Sequence, residues 1–196
     1  MANPIQAAPF YVNITGVAAD DTLNVRAAPN AQAEDIGDLL PDTASVEIGA
    51  VDQTGSWGRI HWHGDTGWIA LRFTETTDVP TLGATALPVG LSCHGTEPFW
   101  GLNLRQHSAT YSTPEFPPAM LQMTETLVAT GFVDQPAAII ASAPYRVAIA
   151  TIRHADCTDG MSDATYPWSV DVLHQTADGR YLQSGCCHLP FDSGQQ

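Results

Sequence analysis

Apolar and polar side chains alternate over short runs from residue 11 to residue 73, and turn residues separate the runs. In "LNVRAAP", apolar Leu23 and Val25 alternate with polar Asn24 and Arg26 before Pro29 ends the run, as in a half-buried strand entering a turn. "IGDLLPDTASVEIGAV" contains a strand in which Val46 and Ile48 share a face. "GSWGRIHWHGDTGWIALRF" predicts a turn at Gly55, a strand from Trp57 to His63, a tight turn in "HGDTG" and a short strand from Trp68 to Leu71. Short strands at this spacing predict a small barrel, with Trp68 closing its core and Trp57 divided between core and ligand groove. His61 and His63 fall two residues apart on one strand face, where surface residues are the ordinary reading.

The pattern changes at "TETTDVPTLGATALPVG", which is rich in Thr, Pro, Gly and Ala and reads as a linker over 74–90. Beyond it, "FWGLNLRQHSATYS" reads as two strands meeting near Gln106 and His107. "TLVATGFV" and "YRVAIATIR" alternate, and "YPWSVDVLHQTADGRYLQSG" is a hairpin turning at "ADG". A helical turn fits only "PPAMLQMTETL". The expected fold is therefore mainly β: an N-terminal extension (1–10), a small barrel (11–73), the linker, a disulfide-bonded antiparallel sheet or partly closed barrel (91–190) with little helix, and a tail (191–196).

Charge restricts the partners. The 196 residues include 21 acidic and 7 basic ones, all seven basic residues being arginine, for a net charge of −14. Such a surface repels phosphate backbones and anionic membranes, which argues against nucleic acid as a partner. No run approaches the roughly 18 consecutive apolar residues of a membrane span. "MANPIQAAPF" has neither the basic start nor the apolar run of a signal peptide, and it reads as a mature start carrying an initiator Met.

"LNVRAAPN", "IGDLLPDT", "GSWGRI" and "GDTGWI", in that order, resemble the bacterial SH3 domain. The resemblance implies a non-catalytic binding module of the cell envelope that engages peptidoglycan or an envelope protein. The second half, through "CHGTEPFW", "CTDGMSDATYPW" and "GCC", resembles a poorly characterised group of bacterial envelope and lipoprotein-type domains and implies a barrel like that of META-type domains. "RAAP" departs from the Ser-Gly pair common at that point of SH3 domains.

Glu97, Asp159, Asp163 and Tyr166 lie in loops punctuated by Gly and Pro and flanked by Trp100 and Trp168, so a pocket at one barrel mouth is one reading. Backbone-capping Asx turns are the other, and for the two aspartates the preferred one. With Trp57 they make up the candidate ligand-binding set: Trp57, Glu97, Trp100, Asp159, Asp163 and Tyr166. No nucleophile elbow or "HExxH" is present, and neither catalysis nor a cofactor is expected. On a strand, Cys186 and Cys187 point to opposite faces, which favours two bridges, one to Cys93 and one to Cys157, over a vicinal ring. Two bridges place the chain in an oxidising compartment such as the periplasm. The alternative is a metal site drawn from Cys93, His154, Cys157, Cys186 and His188; a cell-wall hydrolase is the third reading.

Overall fold

The computed structural model describes residues 9–133 and 135–191, so most of the expected N-terminal extension and of the C-terminal tail lies outside the described residues. The chain forms two compact units. The first takes in the chain up to Val79 with Ser162–Thr165 and the segment from Pro190, and the second comprises Pro80–Met161 and Tyr166–Leu189. Among the described residues the regular structure is nearly all strand, with one 3-10 turn at Leu71–Phe73, and no helix is long and apolar enough to cross a membrane.

The first unit contains β1 (Phe10–Ile14), β2 (Leu23–Arg26), β3 (Asp35–Leu39), β4 (Val46–Ile48), β5 (Ala50–Val51), β6 (Trp57–Trp62), β7 (Asp65–Ala70) and β8 (Thr74–Thr77). They form two sheets, ordered β4-β1-β8 and β3-β2-β7-β6-β5. Inward positions carry the core: Val12, Val25, Leu39, Val46, Ile48 and Ile69 are wholly buried. Trp62, not Trp68, is the core tryptophan; its indole N–H donates to the Ile36 carbonyl at 3.0 Å, which satisfies its one polar atom. His63 lies past the end of β6 in the turn, with φ 49°, so it does not share a strand face with His61.

The second unit contains β9 (Ser92–Thr96), β10 (Phe99–Leu104), β11 (Ser108–Ser112), β12 (Ala119–Val128), β13 (Ala137–Ala143), β14 (Arg146–Cys157), β15 (Tyr166–Thr176) and β16 (Gly179–His188). Each pairs antiparallel with its neighbour in sequence, and β16 returns to β9, which closes the barrel and removes both sheet edges. Leu102, Leu104, Leu121, Ile139, Ile152 and Val172 fill the interior beside small residues, Ala109, Ala141, Ala148 and Ala150. Alternation of bulky and small side chains is how a narrow barrel is packed.

Two expectations change. "PPAMLQMTETL" holds no helical turn: Leu121 is wholly buried while its neighbour Met120 is 73% exposed, the two-residue period of β12, which pairs with both β11 and β13. The 74–90 segment is not a free linker. Its first four residues are β8, paired with β1, and Leu82 and Leu87 are buried with Leu91 in the barrel core. Leu104 N–H donates to the Leu91 carbonyl at 2.9 Å, so these leucines plug the end where β10 finishes.

Candidate functional site

Three clusters of side chains deserve a functional reading, and each arises from strand parity. On β6 and β7 the inward positions Gly58, Ile60, Trp62, Gly67 and Ile69 are buried, and the other face carries the half-buried Trp57, Arg59 and Trp68 with the buried Ala70. Arg59 lies directly opposite Trp68, and Trp57 opposite Ala70, so the two half-buried indoles are diagonal cross-strand neighbours. Trp57 is positioned by the preceding turn: the Asp52 carboxylate accepts from Trp57 and Ser56 N–H, both at 2.8 Å, and from the Thr54 N–H and hydroxyl. Desolvation, the largest single influence, pushes that carboxyl up, but these hydrogen bonds together outweigh it and hold it below its ordinary value. On the same face Thr66 Oγ1 donates to the Asp163 carbonyl at 3.1 Å and accepts from Thr165 N–H at 2.9 Å.

The second cluster lies on the outer face of the barrel beside the β9–β16 seam. The Asp159 carboxylate, 8% exposed, sits 3.5 Å from His94 Nε2 and accepts from the Tyr166 hydroxyl at 3.3 Å. Thr96 Oγ1 donates to the Asp159 carbonyl at 2.9 Å. The His94 ring meets Tyr166 edge-on at 4.7 Å, and His188 packs against both, 5.6 Å from Tyr166 and 6.3 Å from His94. Of these groups, His94, Thr96 and Asp159 line a shallow cleft beside the Cys157–Cys186 bridge.

The third cluster is at the open end of the barrel, opposite the leucine plug. There the inward positions turn from aliphatic to aromatic and polar: Tyr111 on β11, Arg146 on β14, His174 on β15, and Tyr181 and Gln183 on β16. The Tyr111 hydroxyl donates to Gln183 Oε1 at 2.8 Å. The His174 ring stacks on Tyr181, with centroids 4.7 Å apart and planes 15° apart, and touches Tyr111 at 4.6 Å. Tyr111, Arg146, Tyr181 and Gln183 line a cleft of about 740 Å³, within the range of small-molecule sites. Burial, with Tyr181 alongside, pushes the Tyr111 hydroxyl up to about 12.

His174 is wholly buried with the Gln183 side chain beside it, and among the described residues neither ring nitrogen makes a hydrogen bond of good geometry. Burial first, and the positive charge of Arg146 second, push its pKa down to about 4, so the imidazole is neutral at pH 7. Because the unfolded chain binds this proton at about 6.5 and the folded one only near 4, the contribution is fully present above the unfolded value and is lost as pH falls through that window. Urea midpoints of the wild type measured from pH 7 to pH 4 are expected to fall more steeply than those of His174→Phe, whose ring keeps the stack without titrating.

The structure divides the six residues expected to bind ligand. Asp159 and Tyr166 meet. Glu97 is exposed in the β9–β10 turn, and Asp163 belongs to the first unit. Trp100, 5% exposed, is a wall of the barrel interior stacked on Tyr111 at 6.4 Å, not a residue of an open pocket, and Trp57 is on the first unit's outer face. The four cysteines pair as Cys93–Cys187 and Cys157–Cys186, so the adjacent cysteines enter separate bridges.

That pairing corrects the metal alternative. Cys93, Cys157 and Cys186 have no thiolate to offer, Cys93 faces the core, and His154 packs against Trp168, with ring centroids 6.0 Å apart. Among the described residues no three His, Cys, Asp or Glu side chains gather as a metal site requires. The barrel-end residues Tyr111, Arg146, His174, Tyr181 and Gln183 escaped the sequence reading because they come from four strands and form no local motif. Their one signal is parity: His174 continues the inward series Trp168, Val170, Val172, and Gln183 is in phase with Gly185 and Cys187.

No curated protein and no solved structure matches the chain. The match to a known family begins before β2 and ends within β8, ahead of the barrel unit: residues 21–75 match the family model of the bacterial SH3 domain.

Proposed function

We propose that the protein is a non-catalytic binding protein of the bacterial cell envelope, located in the periplasm, whose SH3 domain engages peptidoglycan and whose barrel is a second binding module. The observation that carries this reading is the family match over residues 21–75, because bacterial SH3 domains are often cell-wall-binding modules. Two disulfides support a place outside the cytoplasm, since such bonds persist in oxidising compartments. Trp57 and Trp68 support a glycan or peptide surface on the first unit, because half-buried indoles offer rigid contact area at little entropic cost.

The test is co-sedimentation of the full chain with purified peptidoglycan. The wild type is expected in the pellet, and a Trp57→Ala, Trp68→Ala double variant that keeps the wild-type circular dichroism is expected to bind about tenfold more weakly or worse, the loss of an interface anchor. A wild-type chain that stays in the supernatant overturns the peptidoglycan reading and makes an envelope protein the partner to seek.

A further inference from the structure

The open end of the barrel combines three features that packing alone does not account for. The first is Arg146. It is half-buried, its guanidinium lies 5.3 Å from the centre of the Tyr111 ring, and it makes no ion pair among the described residues, whereas Arg26 and Arg153 reach Asp35 and Asp171. In a chain with three acidic residues for every basic one, an arginine held inside a barrel without a carboxylate is a vacancy for an anion. The second is His174, a wholly buried imidazole beside Gln183 whose ring nitrogens make no hydrogen bond of good geometry among the described residues. The third is space. A cleft of about 740 Å³ is lined by Tyr111, Arg146, Tyr181 and Gln183, and Ala148, directly opposite His174 in the strand register, and Ala141, directly opposite Ala148, are both small.

We propose that this end of the barrel binds a small organic carboxylate with a flat apolar body. The carboxylate pairs with Arg146, and the flat body lies along the aromatic wall of Tyr111 and Tyr181, with exposed Phe99 and Phe116 at the rim. The remaining charges at the cleft, Glu115, Asp178 and Arg180, are all on exposed residues, so they are screened by solvent while the inner cation is not. A bidentate guanidinium–carboxylate contact in a partly desolvated site favours the anion over its neutral amide, and an aromatic body suits walls made of rings. This inference is independent of what the SH3 domain binds.

The experiment uses the full chain and two probes of one shape, 2-naphthoate and uncharged 2-naphthamide, titrated by calorimetry. Saturable binding of one naphthoate per chain is expected, at least tenfold tighter than the amide. Arg146→Met should abolish that preference while leaving amide affinity within about twofold, because the flat body keeps its wall. Tyr181→Ala, at a 41% exposed rim position, should weaken both probes alike, and Arg153→Met, on the outer face, should change neither. The His174 ring resonances should shift on addition of naphthoate. No saturable binding of either probe, or a charge preference that survives Arg146→Met, overturns the proposal. If Arg146→Met does not fold, Tyr181→Ala decides: unchanged affinity for both probes overturns it.

Discussion

Replacing Cys93 and Cys187 together by alanine is expected to cost about 5 kcal/mol of stability, roughly 1 kcal/mol more than the same change at Cys157 and Cys186. The difference comes from loop length. The first bridge joins residues 94 apart in sequence and the second residues 29 apart, and the chain entropy removed from the unfolded state grows with the logarithm of that separation. Position reinforces it. Cys187 lies directly opposite Cys93, with Cα atoms 4.0 Å apart, at the seam where β16 meets β9. That seam holds three paired positions, His94–Cys186, Cys93–Cys187 and Ser92–His188, whereas β15 and β16 pair over nine. Closure of the barrel thus depends on its shortest ladder, and the bridge clamps it. Urea unfolding under non-reducing conditions measures both pairs of variants. Equal losses would show that the seam carries no special burden.

The parts of the fold legible in the sequence are those that depend on local period. Alternation in "YRVAIATIR" and "WSVDVLHQ" places strands β14 and β15, and glycine turns space the strands of the first unit closely enough to identify it. The separation of Cys186 from Cys187 into different bridges also follows from the two-residue period alone. Which partner each takes does not, because it depends on β16 returning to β9 in a register that places Cys187 against Cys93. The 74–90 segment misleads for a related reason. Leu82 and Leu87 show no period, yet both are buried in a barrel interior that strands far along the chain create. The barrel-end cleft is a long-range object of the same kind. Tyr111 and Gln183, 72 residues apart, share a hydrogen bond that no local motif announces.

Gly185→Ala is expected to open the barrel at the same seam and to lower stability by about 3 kcal/mol or more, the upper range for forcing extra atoms into a packed interior. A Cβ at Gly185 would collide with the backbone carbonyl oxygen of His94 and lie 2.8 Å from the Trp100 ring. The carbonyl belongs to β9 and cannot swing aside as a side-chain tip can, so relief requires β9 and β16 to separate. Gly95 stands in the same position from the other strand: a Cβ there would collide with the Trp100 indole nitrogen and lie 2.9 Å from the Ser184 carbonyl oxygen. The two glycines leave the space that the Trp100 indole occupies, on the strands that the Cys93–Cys187 disulfide joins. "CHGTEPFW" and "SGCC" therefore encode barrel closure: one supplies Cys93, Gly95 and Trp100, the other Gly185 and Cys187. Trp100 reads in the sequence as a pocket aromatic because an indole beside glycine and proline fits both roles, and only the register of β16 on β9 distinguishes them. Thermal unfolding of Gly185→Ala alongside Ser184→Ala, which changes the exposed neighbouring residue, measures the effect. A Gly185→Ala chain as stable as Ser184→Ala would mean that the seam is loose enough to absorb a methyl group and that the space left by the two glycines is not what closes the barrel.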